Sequence, residues 1–136
     1  MEKDLKEIKF PQPITYEPTV SNRFILKFPT EMGIQSWIVK SVSAPKFIDG
    51  KWDNTIVSLR NINDEIAPPP RGARKLLWEK NFNITIEFLN AHGVTLQKWL
   101  IEIEKVISID FGGILSYEKD EINTIDIVMK TKNCKF

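Results

Sequence analysis

The side chains on which small-molecule chemistry most often rests are scarce in this chain. Its 136 residues include one cysteine and one histidine. Cys134, being alone, can form neither an internal disulfide nor a zinc site. Charge of one sign is lacking too. Nineteen Lys and Arg stand against 18 Asp and Glu, a net charge of +1, so no electrostatic footprint for nucleic acid is present. Apolar runs such as Phe24-Ile25-Leu26 never exceed three residues, whereas a membrane-spanning helix needs about 20. The opening MEKDLKEIKF alternates Lys with Glu and Asp and has no apolar h-region, so it does not read as a secretory signal. What remains is an ordinary composition, 42% hydrophobic and 27% charged. It fits one soluble domain able to bury roughly 70% of its unfolded surface.

Residues 1–21 read as an extended N-terminal arm. Charges of both signs come first, then Pro11, Pro13 and Pro18, which disfavour helix and interior strand alike. The arm is either a loose terminus or a segment that orders against a neighbouring subunit. Residues 22–136 read as a single domain. RFILKF points Phe24, Leu26 and Phe28 one way and Arg23, Ile25 and Lys27 the other, the period of a half-buried strand. QSWIVKSVS follows as a second strand, the two suggesting a hairpin, and NTIVSLR as a third. Residues 61–77, NINDEIAPPPRGARKLL, hold three consecutive prolines and read as a long loop. NFNITIEFL has the clearest alternation, with Phe82, Ile84, Ile86 and Phe88 on one face. From about residue 94 to 107, Leu96, Trp99, Leu100, Ile103, Val106 and Ile107 recur at helical spacing. GILSYEK and INTIDIVMK read as a closing strand pair around a polar turn at 118–121. This order predicts a mainly β (α+β) fold, an antiparallel β-sandwich or barrel with one packed α-helix.

Searches for catalytic chemistry come up empty. His92 sits beside Gly93 with no serine or cysteine in a nucleophile motif around it. Asp64-Glu65 and Asp120-Glu121 follow no calcium-loop spacing and read as solvated turns. RGAR at 71–74 lacks the glycines of a phosphate cradle, and APPPRGAR lacks P-x-x-P spacing. No catalytic, cofactor or metal residues are assigned, and no enzyme activity is expected. Of the four tryptophans, Trp99 lies on the apolar stripe. Trp52 and Trp78 are either loop anchors or parts of a subunit interface, where aromatics and Arg are enriched.

Four segments carry a family resemblance. SNRFILKF is similar to an N-R-F-x-V-x-F opening strand, and VKSVSAPKF to a strand running into a small residue and proline. NITIEFLNAHGVTLQKWL is similar to a strand entering a helix through a short connection, and GGILSYEKDEINTIDIVMK to later strands. In this order, over roughly residues 15–130, they resemble the tail tube proteins of tailed bacteriophages, a family related to the type VI secretion tube protein. One departure is that longer members continue to a further closing strand beyond the equivalent of Phe136.

The resemblance implies a structural virion protein of the tail, assembled in the host bacterial cytoplasm. Its subunits would form homo-hexameric rings, stacked around a lumen for DNA passage and ejection without sequence-specific contacts. Partners would be other tail proteins such as baseplate, sheath or connector, with no membrane. Alternatives are a tube initiator, baseplate or connector protein of the same tail, or a monomeric β-barrel module binding a ligand or peptide. Interface candidates are Pro13, Pro18, Trp52, Pro68, Pro69, Pro70, Arg71, Arg74 and Trp78, from the arm and the long loop with its flanks. Glu87 and Asp126, at polar positions of strands, are candidates for facing the lumen.

Overall fold

A computed structural model describes residues 17–118 and 120–136. Its strands are β1 (Phe24–Lys27), β2 (Val39–Val42), β3 (Phe47–Ile48), β4 (Lys51–Trp52), β5 (Thr55–Arg60), β6 (Lys80–Leu89), β7 (Thr95–Asp110) and β8 (Thr124–Lys135). Among the described residues one α-helix, α1 (Pro69–Lys75), lies between β5 and β6. Six strands form an antiparallel sheet in the order β1-β6-β7-β8-β5-β2, and β3 pairs with β4 apart from it. The large sheet curls into a nearly closed barrel. Its edge strands approach each other, since Phe24 of β1 and Val42 of β2 line one cavity of about 290 Å³.

The mainly β architecture expected from strand order is what forms. Alternation puts Val57 and Leu59 of β5, Ile84 and Ile86 of β6, and Ile125, Ile127 and Met129 of β8 inside, all at most 2% exposed. Each such side chain contributes about 1.5–3 kcal/mol by leaving water. The expected β1–β2 hairpin does not form. The two strands pair with β6 and β5 instead and occupy opposite edges of the sheet.

The largest correction concerns residues 94–107, which from Thr95 onward are strand and not helix. The inward residues of β7 run Trp99, Ile101, Ile103, Val106 and Ile109. The pairing with β8 slips between Ile103 and Lys105 and again between Val106 and Ser108. Each slip is a β-bulge that inserts one residue, so the inward spacing becomes two, two, three, three. A strand with two bulges therefore mimics a helical stripe. A third slip, between Glu102 and Ile103, has its extra residue on β8, where Thr131 and Cys134 both point inward at a spacing of three.

The segment at 61–77 is correspondingly not a bare loop. Asp64 accepts hydrogen bonds from the N–H groups of Ile66 and Ala67, both at 3.0 Å. Pro69 and Pro70 then open α1, where the first N–H groups have no helical partner to lose. Arg74 and Lys75 occupy its last turn, complementing the helix dipole. The helix buries Pro69, Gly72 and Ala73, and the short 3-10 turn after it buries Leu76. GILSYEK also departs from expectation. After β7 the backbone turns at Gly112 and Gly113, both with positive φ, and leaves residues 111–118 irregular. No neighbouring strand is there to pair with them, because β8 begins only at Thr124.

Candidate assembly surfaces

Among the described residues fifteen large hydrophobic side chains are exposed, and several of them lie together in patches. One is the tip between β7 and β8, where Phe111, Ile114, Leu115, Tyr117 and Ile122 face solvent. Its base is held by Asp110, whose carboxylate accepts from the N–H of Gly112 at 3.1 Å and of Gly113 at 2.6 Å. Those two bonds hold the Asp110 carboxyl below its ordinary pKa. Directly opposite Asp110 in the register lies Asp126.

A second patch is an aromatic chain. Phe88 meets Trp99 edge-on at 4.5 Å between ring centroids, and Trp99 meets Phe136 at 5.3 Å. Phe136 continues to Trp52 at 6.1 Å and Trp52 to Phe47 at 5.0 Å. The chain runs from partly buried Phe88 to exposed Phe47 and Phe136, linking the barrel wall to the β3–β4 ribbon.

A third surface is charged. Lys80 of β6 stands opposite Lys105 of β7, and Lys105 opposite Lys130 of β8. Lys80, Lys105 and Lys132 line one open concavity with Asn81 and Glu104. Among the described residues the ion pair in this row is Lys130 with Glu104, at 3.6 Å.

The residues singled out in the sequence are placed as follows. Pro13 lies outside the described residues. Pro18, Arg71, Arg74 and Trp78 are exposed, Trp78 at 82%. Arg71 reaches back to the carbonyl of Ile66 at 3.3 Å. Pro68 and Pro70 are half-buried and Pro69 is buried. Trp52 is half-buried within the aromatic chain. The structure thus brings Trp52 together with Phe136 and Trp99, and leaves Trp78 to the turn after α1.

Glu87 and Asp126 both project from polar positions of the barrel wall. Glu87 pairs with Lys27 at 2.9 Å and accepts from the Thr95 hydroxyl at 3.1 Å. The Lys27 ammonium, with help from Thr95 and Lys98, holds its carboxyl below the ordinary value. Asp126 accepts a short hydrogen bond from the Ser58 hydroxyl.

The tip patch and the lysine row went unread in the sequence. The tip carried a signal, since GGIL and Tyr117 put apolar groups beside glycines, but strand-like composition masked it. The lysine row had none, because Lys80, Lys105 and Lys130 meet only through a register that the bulges set.

Among the described residues no group of three or more His, Cys, Asp or Glu could hold a metal ion. Among the described residues no helix is long and apolar enough to cross a membrane. No protein-family model and no curated protein matches the sequence. Among solved structures, the chain is similar to a chain in the six-fold symmetrised cryo-EM structure of the anti-feeding prophage baseplate. The TM-score is 0.56 and the identity 14%, over 88% of this chain and 95% of the other, so the likeness is one of fold.

Proposed function

We propose that this chain is a structural subunit of a phage-tail-type particle, forming a six-membered ring where the tube meets the baseplate. One observation carries the reading. A nearly closed barrel that shares its fold with a baseplate chain leaves several apolar patches in water, as expected of a subunit whose surfaces are covered in an assembly. Ring closure needs two different surfaces per subunit, and the tip, the aromatic chain and the exposed Trp78 supply more than two. The role is non-enzymatic, with a lumen that passes DNA without reading sequence. Barrel-wall residues such as Glu87 and Asp126 are the candidates for lining that lumen.

Electron microscopy combined with mass measurement over a range of concentrations tests the reading. Rings with a central hole are the expected result, alone or with the neighbouring tail proteins. Long stacks would assign the subunit to the main tube, and rings that stop after one or two layers to the initiating, baseplate end. A chain that stays monomeric under all these conditions would overturn it. In that case the 290 Å³ cavity between β1 and β2 becomes the place to seek a small ligand.

A further inference from the structure

The row Lys80, Lys105 and Lys130 is an unfavourable arrangement within one subunit. Like charges directly opposite each other on neighbouring strands destabilise a sheet, and here the repulsion is repeated across three strands. Lys132 adds a fourth ammonium to the same surface, against the single carboxylate Glu104. On one side the row adjoins partly apolar ground, since Lys130 also lines a concavity with Ile48, Trp52 and Ile107, where Asp49, Lys51, Asp53 and Asn54 supply the polar lining. A partner for this surface should therefore be acidic and apolar at once.

The chain presents such a segment. The β7–β8 tip carries Glu118, Asp120 and Glu121 against one lysine, Lys119. The same few residues expose Leu115, Tyr117 and Ile122. Among the described residues no ion pair joins the tip to the row within the subunit. We infer that the lysine row receives the acidic, apolar tip of a second copy of this chain. The contact is heterologous, because row and tip are different surfaces, so a joined pair keeps a free tip on one subunit and a free row on the other and propagates. It rests on the assembly reading above and names the surfaces that meet.

A charge swap tests it. Reversal of the row, Lys80→Glu with Lys105→Glu and Lys132→Glu, should raise the concentration needed for assembly about tenfold or more. Reversal of the tip, Glu118→Lys with Asp120→Lys and Glu121→Lys, should do the same. The two sets combined in one chain should restore assembly to near the wild-type level, and added salt should weaken the wild-type contact. Thermal melts of each variant establish that the barrel is folded. Assembly of wild type with no loss in the row variant would overturn this contact while leaving the ring reading intact. Wild-type chain that never assembles would overturn both. Loss in both variants without rescue in the combination would also overturn the pairing. So would a row whose charge reversal abolishes binding to duplex DNA and leaves assembly unchanged, since the occupant would then be a nucleic-acid backbone.

Discussion

The hydroxyls of Thr55 on β5 and Thr131 on β8 lie 2.7 Å apart inside the barrel. Among the described residues they are the buried polar side chains, at 2% and 6% exposure, and one hydroxyl donates to the other. Removing one partner leaves the second hydroxyl buried without its bond, whereas removing both leaves none. Thr55→Val should therefore cost about 1–3 kcal/mol, and Thr131→Val a similar amount. The double variant should be more stable than the sum of the two predicts. Denaturant unfolding of the four proteins measures the coupling, and simple additivity would refute a stabilising hydrogen bond between them.

Why some of this was legible and some was not follows from the periodicities involved. β6 alternates without interruption from Phe82 to Phe88, so its faces were plain in the sequence. β7 carries a helix-like pattern because two bulges shift the phase twice within sixteen residues. Bulges are decided by pairing with β8, which lies beyond a long tip, and no local pattern contains that information. Pro68-Pro69-Pro70 misled for a related reason. A proline run excludes strand, yet its last members suit a helix start, and burial of Ala73 and Leu76 against the barrel decides for helix. Trp52 and Trp78 are distinguishable only through tertiary contacts, one set edge-on and tilted against other aromatic rings and one exposed to solvent.

Glu87 ties acid stability to the barrel wall. Its folded carboxyl is held below the ordinary value of 4.5, chiefly by Lys27. A depressed carboxylate stabilises the fold above its ordinary pKa, and that stability is lost as pH falls through the folded value. Glu87→Gln should lower the melting temperature near neutral pH and flatten its fall on acidification. The two proteins should converge at the acid end. A constant offset at every pH would mean that Glu87 acts by packing alone.

Cys134 should be unreactive in the folded chain. It is buried, and burial followed by the nearby Glu102 carboxylate pushes its thiol pKa up. Both effects disfavour the thiolate that alkylating reagents require. Labelling near neutral pH should proceed only through opening of β8 and accelerate steeply in denaturant. Rapid labelling of native protein would show that the end of β8 is open in solution.

Trp52 and Trp78 should behave oppositely on truncation. Trp52 meets both Phe47 and Phe136 and packs partly against the core. Trp52→Ala should thus cost the isolated subunit about 2–4 kcal/mol, somewhat less than a fully buried aromatic. Trp78 is 82% exposed at the turn after α1, so Trp78→Ala should change monomer stability by no more than about 0.5 kcal/mol. If Trp78 is covered in the assembly, the same substitution should raise the concentration for ring formation about tenfold or more, as for a buried aromatic anchor. Sedimentation and thermal melts on both variants separate the two effects. Normal assembly by Trp78→Ala would remove this side chain from the interface and leave the tip and the lysine row to hold it.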